Sequence, residues 1–414
     1  MKAWKRGLCI LLSLMLLSVP ALGAEEGEEA FDPEPWESVE ALSSVDDVSA
    51  HVGAAVLMER ETGKSLYAHN AHERLAPASV TKIMTMLLVC EALDDGSLTE
   101  ETVVHCSAHA SEMGGSQIFL KEGEAMSVGD LLKSVAVASA NDAAVALAEA
   151  VAGSEREFVR RMNERAGELG MEDTNFANCT GLPAEGEHLT SAWDIALMSR
   201  ELLGHDRIRA YTSIWTDSVR DGAFGLANTN KLVRFYEGCT GLKTGFTQEA
   251  MYCLSASALR EGTEYIAVVL HAETSAERFE AAKLLLDHAF ALWTLVDALP
   301  DGALPPVAVE LGTEKFIQPV MGGDTKLLLK KTEAAALRKE LELPEKVEAP
   351  VAAGQVLGKL RLLDASGREL LSMPVVAPAS VARLGWAGSS FSASGPWPPD
   401  FTKKKHLSVE VVPE

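Results

Sequence analysis

The sequence predicts an α/β domain, a sheet covered by helices, followed by a small all-β domain. Three observations carry this. Strand-like segments stand at both ends of residues 48–295, and apolar runs at helical spacing fill the stretch between. Beyond a turn-rich break, DALPDGALPP, short strand-like runs alternate with turn residues.

The elements follow in order. Lys2, Lys5 and Arg6 precede an apolar run from Gly7 to Val19, then Pro20 and the small residues Ala21, Gly23 and Ala24. That three-part pattern predicts a signal peptide over residues 1–24, too short and wrongly flanked for a stable membrane span. No cysteine follows the small residues, which argues against a lipoprotein anchor. The mature chain is expected outside the cytoplasm: secreted, periplasmic or on the outer face of the cell membrane. Residues 25–47, EEGEEAFDPEPWESVEALSSVDD, read as an acidic linker or mobile arm rather than a core element.

A hairpin is expected around Glu61–Lys64, then a helix over Ser79 to Leu93. Two further apolar helical runs are broken at Ser139-Ala140-Asn141, where Asn141 or Asp142 would cap the second. Ser191 with Asp194 three residues on resembles a capping box. Strands are read at Cys239–Thr244, Met251–Leu259 and Glu264–His271, before a strongly periodic last helix. This domain spans residues 48–296 and the β-rich one residues 300–382. The tail, residues 383–414, holds Trp386, Pro396, Trp397, Pro398, Pro399 and Lys403 to Lys405, and reads as disordered, with membrane contact at most peripheral.

The formal charge is −23, and removing the three signal cations takes it to −26. Nucleic acid is thereby excluded as a partner, since phosphate binding needs clustered cations. Cys90, Cys106, Cys179, Cys239 and Cys253 remain after cleavage, an odd and widely spaced set that makes no disulfide framework. Buried free thiols are the expected state, with a Cys239–Cys253 bridge left to geometry. His105, His109 and His271 form no metal-ligand set. His188 reads as structural, and Met84 and Met86 as core.

Chemistry enters at APASVTKIMTMLL. Ser79 and Lys82 lie one turn apart on one face. A lysine in a partly apolar pocket loses its proton more easily and then serves a serine as general base. Taken alone, the pair also reads as a capping serine and a solvated lysine. Ser139 and Asn141 stand at the inter-helix break, where side chains can face a cleft. Lys243, Thr244 and Gly245 end a predicted strand, with groups suited to a carboxylate and room for a peptide along the edge.

S-x-x-K, S-x-N and K-T-G in this order resemble the signature of penicillin-recognising serine enzymes. Successive blocks, among them GGSQIFLKEGE, MNERAGELGMEDTNFANCTGL and ERFEAAKLLLDHAF, are similar to the low-molecular-mass D-alanyl-D-alanine carboxypeptidases, penicillin-binding proteins that trim peptidoglycan. The resemblance implies the penicillin-binding-protein/β-lactamase-like transpeptidase fold, an antiparallel sheet covered by helices, with the small β domain after it. It also implies roles. Ser79 attacks the carbonyl between two D-alanines, Lys82 is the base, and Ser139 relays a proton to the leaving amine. Asn141 holds the substrate amide, and Lys243 and Thr244 bind the terminal carboxylate. Arg278 is read equally as a carboxylate ligand or a solvated helix-start residue. The N–H of Ser79 and that of Phe246 or Thr247 form the oxyanion hole. The implied partners are a peptidoglycan stem peptide ending in D-Ala-D-Ala and β-lactam inhibitors, no metal or cofactor is implied, and the oligomeric state is left open. Two departures stand out: Met251 where the family has a small residue, and ANCTGL in place of NPxGL.

Rival readings remain. A class A-like β-lactamase needs a deacylating glutamate, and Glu164 and Glu168 lie in no E-x-x-L-N pattern. A D,D-endopeptidase uses the same site. A slowly deacylating β-lactam sensor differs only in turnover.

Overall fold

The computed structural model describes residues 34–39, 41–299, 302–385 and the strand Leu407–Val409. The expected signal peptide and most of the tail, with its expected peripheral membrane contact, lie outside the described residues. No described helix is long and apolar enough to cross a bilayer.

A five-stranded antiparallel sheet forms the centre, in the order Ser65–His69, Val52–Glu59, Thr263–Ala272, Met251–Arg260, Cys239–Thr247. The expected hairpin is its outer pair. Buried Glu59 closes the turn by accepting from the N–H groups of Glu61 and Thr62, each at 2.7 Å. Side chains alternate between faces. Ala54, Val56, Met58, Ile266, Val268 and Leu270 face a large helical layer, while Ala55, Leu57, Tyr265, Ala267 and Val269 face the helix Ser275–Leu292. Both faces are covered, which is why these strands read as nearly continuous apolar runs.

The helical layer is built around Lys82–Asp94, a helix buried on all sides because other helices surround it. Val128–Ala138, Asn141–Ala152, Glu155–Glu168 and Ala192–Leu202 complete it. Neither Asn141 nor Asp142 caps its helix as expected. Ala140 occupies that position, and the Asp142 carboxylate instead accepts from the N–H groups of Ile118 and Leu120 across a loop. The Ser191 cap is present at 3.2 Å, but Asp194 turns away to accept from Asp173 N–H and the Thr174 hydroxyl.

The acidic segment expected to be a linker is packed in its second half. Leu42 and Val48 are buried, and Trp36, Val39 and Val45 pack beside them against the last helix. The Trp36 ring lies 5.3 Å from that of Phe279, and its indole N–H donates to Glu280 at 2.9 Å. The acidic composition hid a few apolar residues with a sheet face to cover.

Beyond the last helix, strand Trp293–Asp297 pairs with Lys326–Lys330. The remaining strands form a three-stranded sheet around Val307–Glu310 and a five-stranded sheet around Val356–Leu363, each with its own small apolar cluster. Leu407–Val409 adds an edge strand against Arg338–Glu342, so the tail expected to be disordered contains three paired residues. The short run LSVEVV has the alternating, β-branched pattern a sheet edge accepts.

The β-register places Cys253 opposite Gly245 and Cys239 opposite Ala258, five residues further along, so the two sulfurs cannot bridge. The five described cysteines are all free. Burial is the largest influence on each thiol and pushes its pKa up, so these are inert core residues.

Met251 adopts φ +54°, the left-handed region that favours glycine. The departure noted in the sequence therefore has a backbone cost. Met251→Gly should raise the unfolding free energy by about 0.5–1 kcal/mol, because relief of the strain outweighs the packing of a half-buried side chain. Leu42→Ala should lower it by about 2 kcal/mol in urea denaturation; no change would mean that the arm is not part of the folded core.

Candidate active site

Ser79 lies on the 3-10 turn Ala78–Thr81, and the α-helix begins only at Lys82. The expectation of a helix starting at Ser79 is thus corrected by one turn, with a chemical consequence. At three residues per turn, residues i and i+3 eclipse. Lys82 is fully buried, and its Nζ lies 2.6 Å from the Ser79 oxygen and 2.9 Å from the Thr180 carbonyl. It is not the solvated lysine of the bland alternative.

The Thr180 carbonyl is held by its own loop. The Asn178 side-chain oxygen accepts from the N–H groups of Thr180 and Gly181. Gly181 has φ +85°, and a Cβ there would stand 1.8 Å from the Ala78 carbonyl oxygen. In this block, which lacks the expected proline, a side-chain clamp holds the loop. His188 fastens the same region from the other side. Its Nδ1 accepts from Ala177 N–H at 3.0 Å, which leaves Nε2 to donate to the Thr81 hydroxyl at 2.8 Å. Burial lowers its pKa to about 4, so the ring is neutral near pH 7.

Ser139 ends its helix at φ +61°. Asn141 is anchored by its amide, which donates to the Gly114 carbonyl at 2.8 Å, and by its backbone N–H on the Ser116 carbonyl at 2.7 Å. The Ser139 hydroxyl and the Asn141 side-chain oxygen are buried and have no hydrogen-bond partner among the described residues.

The strand Cys239–Thr247 closes the site. A Cβ on Gly245 would lie 2.7 Å from the Pro77 carbonyl oxygen and 3.0 Å from the Ser79 nitrogen, so only glycine lets the strand come this close. Lys243 is buried and donates to the Thr244 carbonyl at 2.8 Å. The Thr244 hydroxyl lies 2.5 Å from that of Thr229. Arg278 is fully buried in the first turn of the last helix, which removes the solvated alternative. It donates to the Gly245 carbonyl at 3.2 Å and lies over the Tyr252 and Phe279 rings.

One cleft collects most of these groups: Ser79, Ser139, Thr244, Gly245, Phe246 and Arg278, with Ser116 and Thr229. Lys82, Asn141 and Lys243 do not line it, and of the two expected oxyanion donors Phe246 lines the cleft while Thr247 lines a neighbouring cavity. Ser116 and Thr229 were missed from sequence. Thr229 is bracketed by Asn228 and Asn230, whose buried side chains reach the Ile214 and Gly241 carbonyls; that Asn-Thr-Asn run was the available signal. No group of side chains suited to a metal occurs among the described residues.

Residues 40–274 match the family D-alanyl-D-alanine carboxypeptidase, and residues 300–383 match the penicillin-binding protein 5 C-terminal domain. This chain belongs to the D-alanyl-D-alanine carboxypeptidase family. It is 44% identical over 349 residues to the D-alanyl-D-alanine carboxypeptidase DacF of Bacillus subtilis (strain 168), covering 83% of this chain and 89% of that protein. Among solved structures, it resembles penicillin binding protein 5 from Haemophilus influenzae with a TM-score of 0.68 and 28% identity, over 80% of this chain and 98% of that one. Penicillin-Binding Protein D2 from Listeria monocytogenes in its ampicillin-bound form is 33% identical with a TM-score of 0.53, over 58% of this chain and 97% of that one. The penicillin-binding-protein fold, with its antiparallel sheet, helices and following β domain, is thus the one expected from sequence, and the enzyme is a serine-type carboxypeptidase.

The neutral, buried His188 of this carboxypeptidase makes a pH prediction. Its folded-state pKa lies below the unfolded value of about 6.5, so between about 6.5 and 4 the unfolded chain binds more protons, and stability falls as pH falls. The loss should approach about 2–3 kcal/mol by pH 4.5. In His188→Gln, chemical denaturation across that window should lack this component; an unchanged pH slope would remove His188 from the account.

Proposed function

We propose that this carboxypeptidase is exported and removes the terminal D-alanine of peptidoglycan pentapeptide through an acyl-enzyme on Ser79. The 2.6 Å contact between a fully buried Lys82 and Ser79 is the observation that carries the reading. In the first step Ser79 Oγ bonds to the carbonyl carbon of the penultimate D-alanine, and Lys82 takes the hydroxyl proton. The developing oxyanion is held by the N–H groups of Ser79 and Phe246. The C–N bond then breaks, and the proton passes by way of Ser139 to the leaving amine. Asn141 holds the substrate amide. Lys243, Thr244, with Thr229 against its hydroxyl, and Arg278 receive the terminal carboxylate. Water cleaves the ester, releasing the shortened peptide and restoring the Ser79 hydroxyl.

β-Lactams enter this scheme as acylating inhibitors, a reading supported by the ampicillin-bound form of the Listeria relative. Export is supported by the amino-terminal sequence pattern. Wild-type protein should release D-alanine from diacetyl-L-Lys-D-Ala-D-Ala and gain the mass of penicillin on Ser79. Ser79→Ala should do neither while keeping a cooperative unfolding transition. Labelling without release would favour an endopeptidase or a slowly deacylating sensor, and neither from folded wild type would overturn the site.

A further inference from the structure

A carboxylate outside the cleft reaches the catalytic lysine through the backbone. Glu155 opens the helix Glu155–Glu168. That helix end is already capped, since the Ser154 hydroxyl accepts from Glu157 N–H at 3.2 Å. The Glu155 carboxylate is engaged elsewhere. One of its oxygens accepts from the Cys179 N–H at 3.2 Å and from the Cys179 thiol at 3.3 Å. The other lies 2.6 Å from His109 Nε2. Burial and the charge of Glu155 hold the thiol pKa well up, so the sulfur keeps its proton and serves as a donor.

Cys179 precedes Thr180, whose carbonyl receives Lys82 Nζ at 2.9 Å. Its two peptide groups are gripped from different helices. Thr85, one turn beyond Lys82 on the helix Lys82–Asp94, donates its hydroxyl to the Cys179 carbonyl at 2.6 Å. Glu155 supplies the opposite handle, on the N–H. The Asn178 clamp is local to the loop, whereas these two bonds tie the loop to the helical layer. With both sides of Cys179 fixed, the next carbonyl has little freedom, and so has the lysine that donates to it. Glu155 itself stays clear of the substrate. It lines a separate cavity of ≈ 450 Å³ with His109, Glu149 and Arg156, and no residue of that cavity lines the catalytic cleft.

We propose that Glu155 is a positioning residue for acylation: by holding the Cys179 N–H it fixes the Thr180 carbonyl and so aims Lys82 at Ser79. The assignment rests on the acyl-enzyme reading and adds to it a residue that none of the three motifs contains. A carboxylate suits the task because an ionised acceptor makes the stronger hydrogen bond and has lone pairs for all three donors.

Stopped-flow acylation by a chromogenic β-lactam separates the acylation rate constant from the dissociation constant of the non-covalent complex. In Glu155→Ala the rate constant should fall about ten- to a hundredfold, as a misplaced reacting pair does, while the dissociation constant stays at its wild-type value. Glu155→Gln should recover most of the rate, because its amide oxygen can accept from Cys179. A residue that only stabilised the helix end would lower the unfolding free energy and leave the folded enzyme's rate constant unchanged. That result would overturn the assignment, as would a Gln variant as slow as the Ala variant or a loss confined to the dissociation constant. Should Glu155→Ala fail to fold, Glu155→Asp keeps the charge at the helix start and draws its oxygens back from Cys179. A slowed rate there with unchanged binding supports the proposal, and a wild-type rate overturns it. Wild type that is folded and not acylated on Ser79 would instead remove the acyl-enzyme reading beneath it.

Discussion

A lysine with no exposed surface, 2.6 Å from a serine oxygen, is the constraint around which the catalytic half of this molecule is arranged. A buried amine needs acceptors at fixed positions, because a polar group taken from water and left without partners costs several kcal/mol, on the order of 2–7. One acceptor is Ser79 itself. Another, the Thr180 carbonyl, belongs to a loop nearly a hundred residues away, so the pair is only as well placed as that loop. The Asn178 clamp, the glycine at 181 and the neutral His188 all bear on this one position. Each is unremarkable as a lone residue, and together they hold the carbonyl still.

The second requirement is proximity of the strand. Gly245 brings the backbone of Cys239–Thr247 within contact distance of the nucleophile turn, and Arg278 ties the same glycine's carbonyl to the last helix. A helix packed on the far face of the sheet thereby fixes the edge strand that borders the cleft. Packing, backbone approach and site geometry are here one problem, and the packed arm at Trp36 and Leu42 extends it by joining the cluster between that helix and the sheet.

Much of this was legible in the sequence because several signals were redundant. The strands at Met251–Arg260 and Thr263–Ala272 are apolar on both faces, and the hairpin has a clear turn. The three motifs pointed to Ser79, Ser139, Thr244 and Gly245, and the resemblance added Phe246 and Arg278; the fold brings these six to one cleft. What stayed hidden depended on distant partners. The ribbons Val103–His105 with Ala125–Ser127 and Thr216–Val219 with Phe224–Ala227 are three and four residues per strand, too short for a period to show. Asp142 looked like a helix cap because its use, holding the loop at Ile118 and Leu120, is decided by tertiary contact. Ser116 belongs to none of the three motifs, Thr229 offered only its flanking asparagines, and folding makes both neighbours of Ser79.

Two atoms of the site, the Ser139 hydroxyl and the Asn141 side-chain oxygen, are buried with no hydrogen-bond partner among the described residues and are the counterpart of this rigidity. The groups beside them are held: the Asn141 amide by the Gly114 carbonyl, and its backbone N–H by that of Ser116. Unsatisfied buried polar atoms are rare in folded proteins because each costs about 1–3 kcal/mol. On the proposed mechanism these two face the amide being cleaved, so a substrate that supplies their hydrogen bonds recovers what the folded chain forgoes. A surface that is complete except where the reacting amide belongs binds by finishing its own hydrogen-bond network. The asymmetry also explains why Asn141 is fixed by its donors and leaves an acceptor over: a peptide crossing Ser79 brings an N–H, and the side chain is oriented so that oxygen, not nitrogen, meets it.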